Sequence, residues 1–149
     1  MSVDSVHLDN TEAGRIVARH LAKLGHRCFG FVGGRQETST DTHRLGGFRQ
    51  ALTELGLELP PEHVVHGAFT YDSGYASARQ LIALSGRPSA LFCANDVIAL
   101  GVMDAVYDAV LRIPQDVAIV GWTTWLPPRC APSGSPRFAS QRLKWAAGR

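Results

Sequence analysis

Up to Trp122 the chain alternates two kinds of segment. Short, wholly apolar runs close on glycine or a polar turn, and longer stretches repeat apolar residues every three or four positions. The longer stretches have the period of amphipathic helices and the short runs have the character of buried strands. Strands alternating with helices of about 11–15 residues require parallel pairing through right-handed crossovers. Runs apolar on both sides suit a sheet covered on both faces. The expected fold is therefore α/β: three layers, an open and mainly parallel sheet with helices on both faces.

Residues Ser5–Leu8 read as a short extended segment. Asn10 can cap a helix over Thr11–Leu24, with Ala13, Ile16, Val17, Leu21 and Leu24 as its apolar stripe and Gly25 ending it. Cys28–Val32 reads as a strand. A second helix spans Thr42–Leu55 on Leu45, Phe48, Leu52 and Leu55, and Gly56 stops it. Pro60 and Pro61 block further helix because neither has an amide hydrogen. Val64–His66 is a short strand, and Asp72 or Ser73 can cap a helix over Gly74–Leu84. Ala90–Cys93 is a strand opening into Asn95-Asp96, a helix over Val97–Leu111 follows, and Val117–Val120 is the last strand. Ligands of such sheets sit beyond the carboxyl ends of the strands. The segments to watch are Gly33–Arg44, Gly67–Asp72, Ala94–Asp96 and the residues after Gly121.

Composition narrows the function. A formal net charge of +2 is too small to predict a nucleic-acid surface on this chain. No run of about 18 apolar residues exists to span a membrane. The first ten residues lack the basic and apolar regions of a secretory signal, so a cytoplasmic location is expected. Cys28, Cys93 and Cys130 show no CxxC spacing and read as reduced thiols. His7, His20, His26, His43, His63 and His66 show no metal-ligand spacing, so no metal is expected. Gly30, Gly33 and Gly34 make neither GxGxxG nor a GxxxxGK[ST] loop, so no nucleotide cofactor is expected. Neither a nucleophile elbow nor paired carboxylates at strand ends points to an enzyme.

After Trp122 the pattern breaks into a proline- and arginine-containing tail without apolar period. Tryptophan has one codon, so Trp122-Thr123-Thr124 must be TGG-ACN-ACN, and a frame shifted to the last base of the first codon can read Asp-Asp. In the same frame Trp125–Pro128 can read Leu-Ala-Ala-Ala, and Arg137–Leu143 can read Leu-Arg-Ile-Thr-Thr-Val. The shifted text is apolar and strand-like where the actual text is not. Residues 123–149 are thus expected to be an irregular tail, either frameshifted or a divergent disordered extension.

Leu8–Gly14, Leu24–Arg27, Arg44–Phe48, Asp72–Tyr75, Arg87–Ala90, Phe92–Asp96 with Ala99–Gly101, Arg112–Val117 and Val120-Gly121 follow one another over about 120 residues. In order and spacing they resemble the lactose/galactose repressor (LacI/GalR) family of transcription regulators. The shifted Asp-Asp and Thr-Thr-Val fall where that family carries such segments. The resemblance implies one lobe, the C-terminal one, of a two-lobed periplasmic-binding-protein-like effector domain. Residues 1–10 would be the inter-lobe crossover and 11–122 the lobe. It further implies a small effector, by family habit a carbohydrate, and a homodimer that meets operator DNA through a headpiece not in this chain. The alternative is a solute-binding protein of a sugar importer, which shares the fold.

Six residues are candidate ligand contacts. Arg44 has a planar fork suited to two hydroxyls or a carboxylate, or else forms a surface salt bridge. Asn95 can donate and accept, as a polyol requires; alternatively Asn95 or Asp96 caps the following helix, and the family pattern assigns the contact to Asn95 and the cap to Asp96. Asp9 matches a family aspartate that reaches the effector, or is a turn residue. Phe69 can stack on a sugar ring or base, or pack beneath its loop. Thr38 and Thr40 can hydrogen-bond a ligand, or belong to a solvated loop. The family's aspartate after the last strand is replaced by Thr123 and Thr124.

Overall fold

A computed structural model describes residues 9–122. Four strands, β1 (Phe29–Gly33), β2 (Val64–His66), β3 (Ala90–Cys93) and β4 (Ala118–Gly121), form one sheet in the order β2-β1-β3-β4. All three pairings are parallel, with Phe31 opposite Phe92 and Phe92 opposite Val120. Four helices connect them: α1 (Asn10–Lys23), α2 (Ser39–Glu54), α3 (Tyr71–Ile82) and α4 (Asp96–Asp108). A single 3-10 turn, Pro61–His63, leads into β2, with proline at its first position. From β1 the chain moves outward to β2, then crosses back over β1 to β3 and on to β4. Right-handed crossovers therefore place α2 on one face and α3 and α4 on the other, the three-layer arrangement expected.

The α2 face is aromatic. The rings of Phe29 and Phe31 on β1, Phe92 on β3 and Phe48 on α2 are all buried, with centroids 5.1–6.2 Å apart in tilted and edge-on pairs. Edge-to-face pairs of this kind add to the burial of the rings themselves.

Each helix pair meets at reciprocal glycines. A Cβ on Gly14 of α1 would strike the main chain at Arg44 and Phe48, and one on Gly47 of α2 would strike the Thr11 carbonyl. Gly74 of α3 and Gly101 of α4 repeat this against Ile98 and against Tyr71 and Tyr75. Main chain thus touches main chain in both crossings. This close approach revises the expected stripes. On α1 the buried set is Ala13, Gly14, Val17, Ala18 and Leu21, whereas Ile16 and Leu24 are exposed. On α2, Leu55 is exposed and Gly47 and Ala51 are buried. Small residues occupy the contact line because large ones would hold the helices apart.

The helix caps also differ from those expected by one or more residues. The N-cap of α1 is Asp9, whose Oδ1 accepts from the Glu12 amide at 3.0 Å, not Asn10. That of α3 is Thr70, accepting from Ser73, rather than Asp72 or Ser73. α2 begins at Ser39, so Arg44 lies in its second turn instead of opening it. The expected frameshift lies outside the described residues.

Three helices end alike. In α1, α2 and α4 a residue with positive φ accompanies a pair of closing bonds, such as Leu111 N–H to Val106 O and Val110 N–H to Tyr107 O after α4. The positive-φ residues are Gly25 (94°) and Gly56 (71°) after α1 and α2, but Val110 (59°) after α4. Glycine is the low-cost residue there; a β-branched side chain is not.

Candidate functional site

The carboxyl ends of β1 and β3 are adjacent, and from them the chain departs to opposite faces. This is the topological switch point where open α/β sheets bind ligands. Gly34 to Thr38 leave β1 here, and Ala94 and Asn95 leave β3.

Arg44 organises this edge from beneath. It is only 7% exposed. Its Nη1 donates to the carbonyl oxygens of Ala94, after β3, and Trp122, after β4, the latter at 3.1 Å. Its Nε donates to Asn10 Oδ1 at 3.0 Å. Burial lowers the guanidinium pKa, while Asp41 and Asp96 act to keep the charge in place. The surface salt bridge considered from sequence is therefore not what this residue forms.

Asn95 is the N-cap of α4: its Oδ1 accepts from the Ile98 amide at 2.9 Å. The cap expected of Asp96 thus belongs to Asn95. Asp96 instead directs Oδ1 to the end of β4, where a Cβ added to Gly121 would lie 2.7 Å from it.

Phe69 follows β2, and its ring lies over Gly34, where any Cβ would collide with it. It is half-buried against the core. Thr38 donates from its hydroxyl to Arg35 O at 2.9 Å and precedes α2 without a side-chain cap bond. Thr40 sits in the first turn of α2, half-buried. Asp9 is exposed, and one of its oxygens serves the α1 cap. All six candidates therefore lie along one edge of the sheet. Thr38, Phe69 and Asn95 are at strand-end loops, Thr40 is in the first turn of α2, Arg44 braces the segments after β3 and β4, and Asp9 sits at the start of α1 beside the Asn10 that binds Arg44.

Sequence reasoning missed Asp41 and His66. Asp41 is fully buried, and its Oδ1 accepts from the Gly34 amide at 2.9 Å. Its Oδ2 lies 2.9 Å from Nδ1 of His66, the last residue of β2. Burial raises the Asp41 pKa, opposed first by the Gly34 hydrogen bond and then by His66 and Arg44. A carboxylate in the first turn of a helix is ordinarily a solvated choice favoured by the dipole, so its burial left no mark in the sequence. Cys93 is buried on β3, and desolvation pushes its thiol well above the ordinary value, so it is not a nucleophile at neutral pH.

The fold is that of an open parallel α/β lobe, with a buried arginine at the switch point where sheets of this kind take ligands. Residues 18–137 match the periplasmic binding protein-like domain family. The chain belongs to that family, in the form found in LacI-family transcription regulators. It is 38% identical over 116 residues to the HTH-type transcriptional repressor PurR of Salmonella arizonae, covering 77% of this chain and 34% of that protein. The chain thus spans about a third of the length of the curated relatives it matches. A LacI-type regulator from Bacillus cereus subsp. cytotoxis superposes with a TM-score of 0.77 at 34% identity, over 78% of this chain and 42% of that one. The CelR–cellobiose complex, a transcriptional regulator, superposes with a TM-score of 0.73 at 36% identity, over 76% of this chain and 35% of that one.

Proposed function

We propose that this chain is the ligand-sensing lobe of a LacI-type transcription regulator, and that its crevice binds a sugar or sugar derivative. The effector biases the arrangement of two lobes, and that bias reaches operator DNA through a headpiece on the complete protein. The observation that carries this reading is the collection of Thr38, Thr40, Phe69 and Asn95 at neighbouring strand ends. Hydroxyls and an amide beside a half-buried aromatic ring suit a polyol with an apolar face. The resemblance to a regulator solved in complex with cellobiose supports the carbohydrate class. On this reading the working protein is a cytoplasmic homodimer and not an enzyme; the matched relatives are named as regulators, which fits a sensing role.

The test is a thermal-shift screen of the chain against mono- and disaccharides, sugar phosphates and purines. Selective stabilisation by one carbohydrate class is expected, because a ligand that binds only the folded state raises its stability by mass action. A response confined to purines would overturn the carbohydrate assignment. A signal peptide encoded upstream of Met1, in place of a helix-turn-helix headpiece, would overturn the regulator in favour of an importer component.

A further inference from the structure

At the end of the sheet opposite the crevice lies an open hollow of about 310 Å³, lined by Arg19, Ala22, Lys23 and Arg27 in and after α1 and by Leu55 and Leu57 after α2. Both helices close there, because α1 runs into the amino end of β1 and α2 returns toward the amino end of β2. The floor is aliphatic: Ala22 and Leu57 pack against the core, and Leu55 is 49% exposed at the wall. This volume is at the small end of the range for ligand pockets, roughly 300–1,000 Å³.

The wall is more cationic than the helix ends require. Each helix C-terminus carries about half a negative charge, so two side by side call for about one positive charge. Arg27 meets part of that demand directly: its Nη1 donates to Ala22 O at 3.2 Å and to His26 O at 2.8 Å, which folds the guanidinium over the end of α1. Arg19 is balanced by Glu12 at 3.5 Å, and Glu54, the last residue of α2, is taken by Arg15 at 3.2 Å. Glu12 also lies 3.6 Å from Arg15. Lys23 remains: it is exposed, and among the described residues it makes no hydrogen bond or ion pair. No carboxylate is among the described residues of the lining. The hollow thus holds an excess of about one positive charge beside its aliphatic floor. A lone surface lysine is ordinary. Here, an occupant covering the floor also excludes water from around the ammonium and strengthens its attraction for an anion.

We propose that this hollow is an accessory ligand site, separate from the crevice, for a small organic acid: one carboxylate on a compact apolar body. The body lies on Ala22, Leu55 and Leu57. The carboxylate accepts from the Lys23 ammonium and from the Arg27 guanidinium, whose Nε and Nη2 hydrogens are not used by the two carbonyl bonds. A polyol, which must donate as well as accept, finds no accepting side chain in this lining. The two ends of the lobe therefore select different chemistry.

The experiment is a titration of the chain with phenylacetate, followed by nuclear magnetic resonance of its amides and methyl groups. Phenylacetamide, the same apolar body without the charge, and inorganic phosphate, charge without the body, are titrated in parallel. Expected are saturable shifts at Ala22, Lys23, Leu55 and Leu57, with the Thr38 and Asn95 amides unmoved. The amide and the phosphate should each bind about tenfold or more weakly, the worth of one charge-assisted hydrogen bond or of the covered floor. Lys23→Glu should weaken phenylacetate by about tenfold or more, and Leu55→Ser should weaken it as well. Both side chains are exposed, so both variants keep the fold. Shifts that do not saturate, equal binding of the amide or of phosphate, or shifts confined to the crevice would overturn the site. A failed sugar screen leaves this titration untouched, so the two proposals fail separately.

Discussion

Arg44 donates to the carbonyl oxygen of Ala94 fifty positions further along the chain, and the same nitrogen reaches the carbonyl of Trp122. One side chain from α2 thereby ties together the ends of β3 and β4. Replacing it with methionine keeps bulk but strands two inward-facing carbonyls and Asn10. The expected loss is about 2–4 kcal/mol, the cost of leaving buried partners of a charged donor unmet. Urea unfolding checks this. A loss under roughly 0.5 kcal/mol, the range of ordinary surface changes, would mean the network is not formed.

Gly46 and Gly47 are neighbours with opposite expected behaviour. A Cβ at Gly46 meets nothing within 4 Å, whereas one at Gly47 collides with the Thr11 main chain. Gly46→Ala should stabilise by about 1 kcal/mol through helix propensity. Gly47→Ala should destabilise by about 1–3 kcal/mol through overpacking. Thermal melts of the two variants side by side give the comparison, and equal effects would contradict the crossing geometry.

Val110 is 89% exposed and holds a φ of 59° at the end of α4. A side chain in this conformation costs about 1–2 kcal/mol, and exposure returns no packing. Val110→Gly should therefore raise stability by about 1 kcal/mol and the melting temperature by a few degrees.

Asn95 has two roles that substitutions can separate. Asn95→Ala removes the α4 cap and should cost about 1 kcal/mol, while Asn95→Asp keeps an accepting oxygen and most of the stability. Both should weaken effector binding, since both lack the amide donor. Isothermal calorimetry with the sugar found in the screen, read beside the melts, distinguishes capping from recognition.

The pH dependence follows from Asp41. Its folded pKa is raised above 3.8 by burial. A raised group contributes stability that is full below the unfolded value and is lost as pH rises through the folded one. The native chain should lose this contribution on going from about pH 4 toward neutrality, and Asp41→Asn should not. Burial lowers the pKa of His26, which acts in the other direction, but it is common to both proteins. The difference between their urea midpoints across pH thus reports Asp41 together with its contact to His66, and parallel curves would contradict the assignment.

The strands and helices were legible because their apolar periods differ, and Ala90–Cys93 and Val64–His66 fall where the runs of apolar residues place them. Helix starts were less so. Asp9 and Asn10 are both good caps, and only the approach of Arg44 to Asn10 decides that Asp9 takes the task. Arg44 carried a visible signal as an unusual cation near a strand end, but its bonds to main-chain oxygens distant in sequence have no local signature. Asp41 and His66 were invisible for the same reason: their partnership depends on strand register, with His66 opposite Gly33, and register is not written in either segment alone.

The glycine crossings have a mechanical consequence. Helices seated backbone against backbone have no side-chain cushion through which to slip, so each pair moves as one body. The two helices of one layer are thereby tied to each other, α1 to α2 and α3 to α4. A push on one member of a pair is delivered to the other.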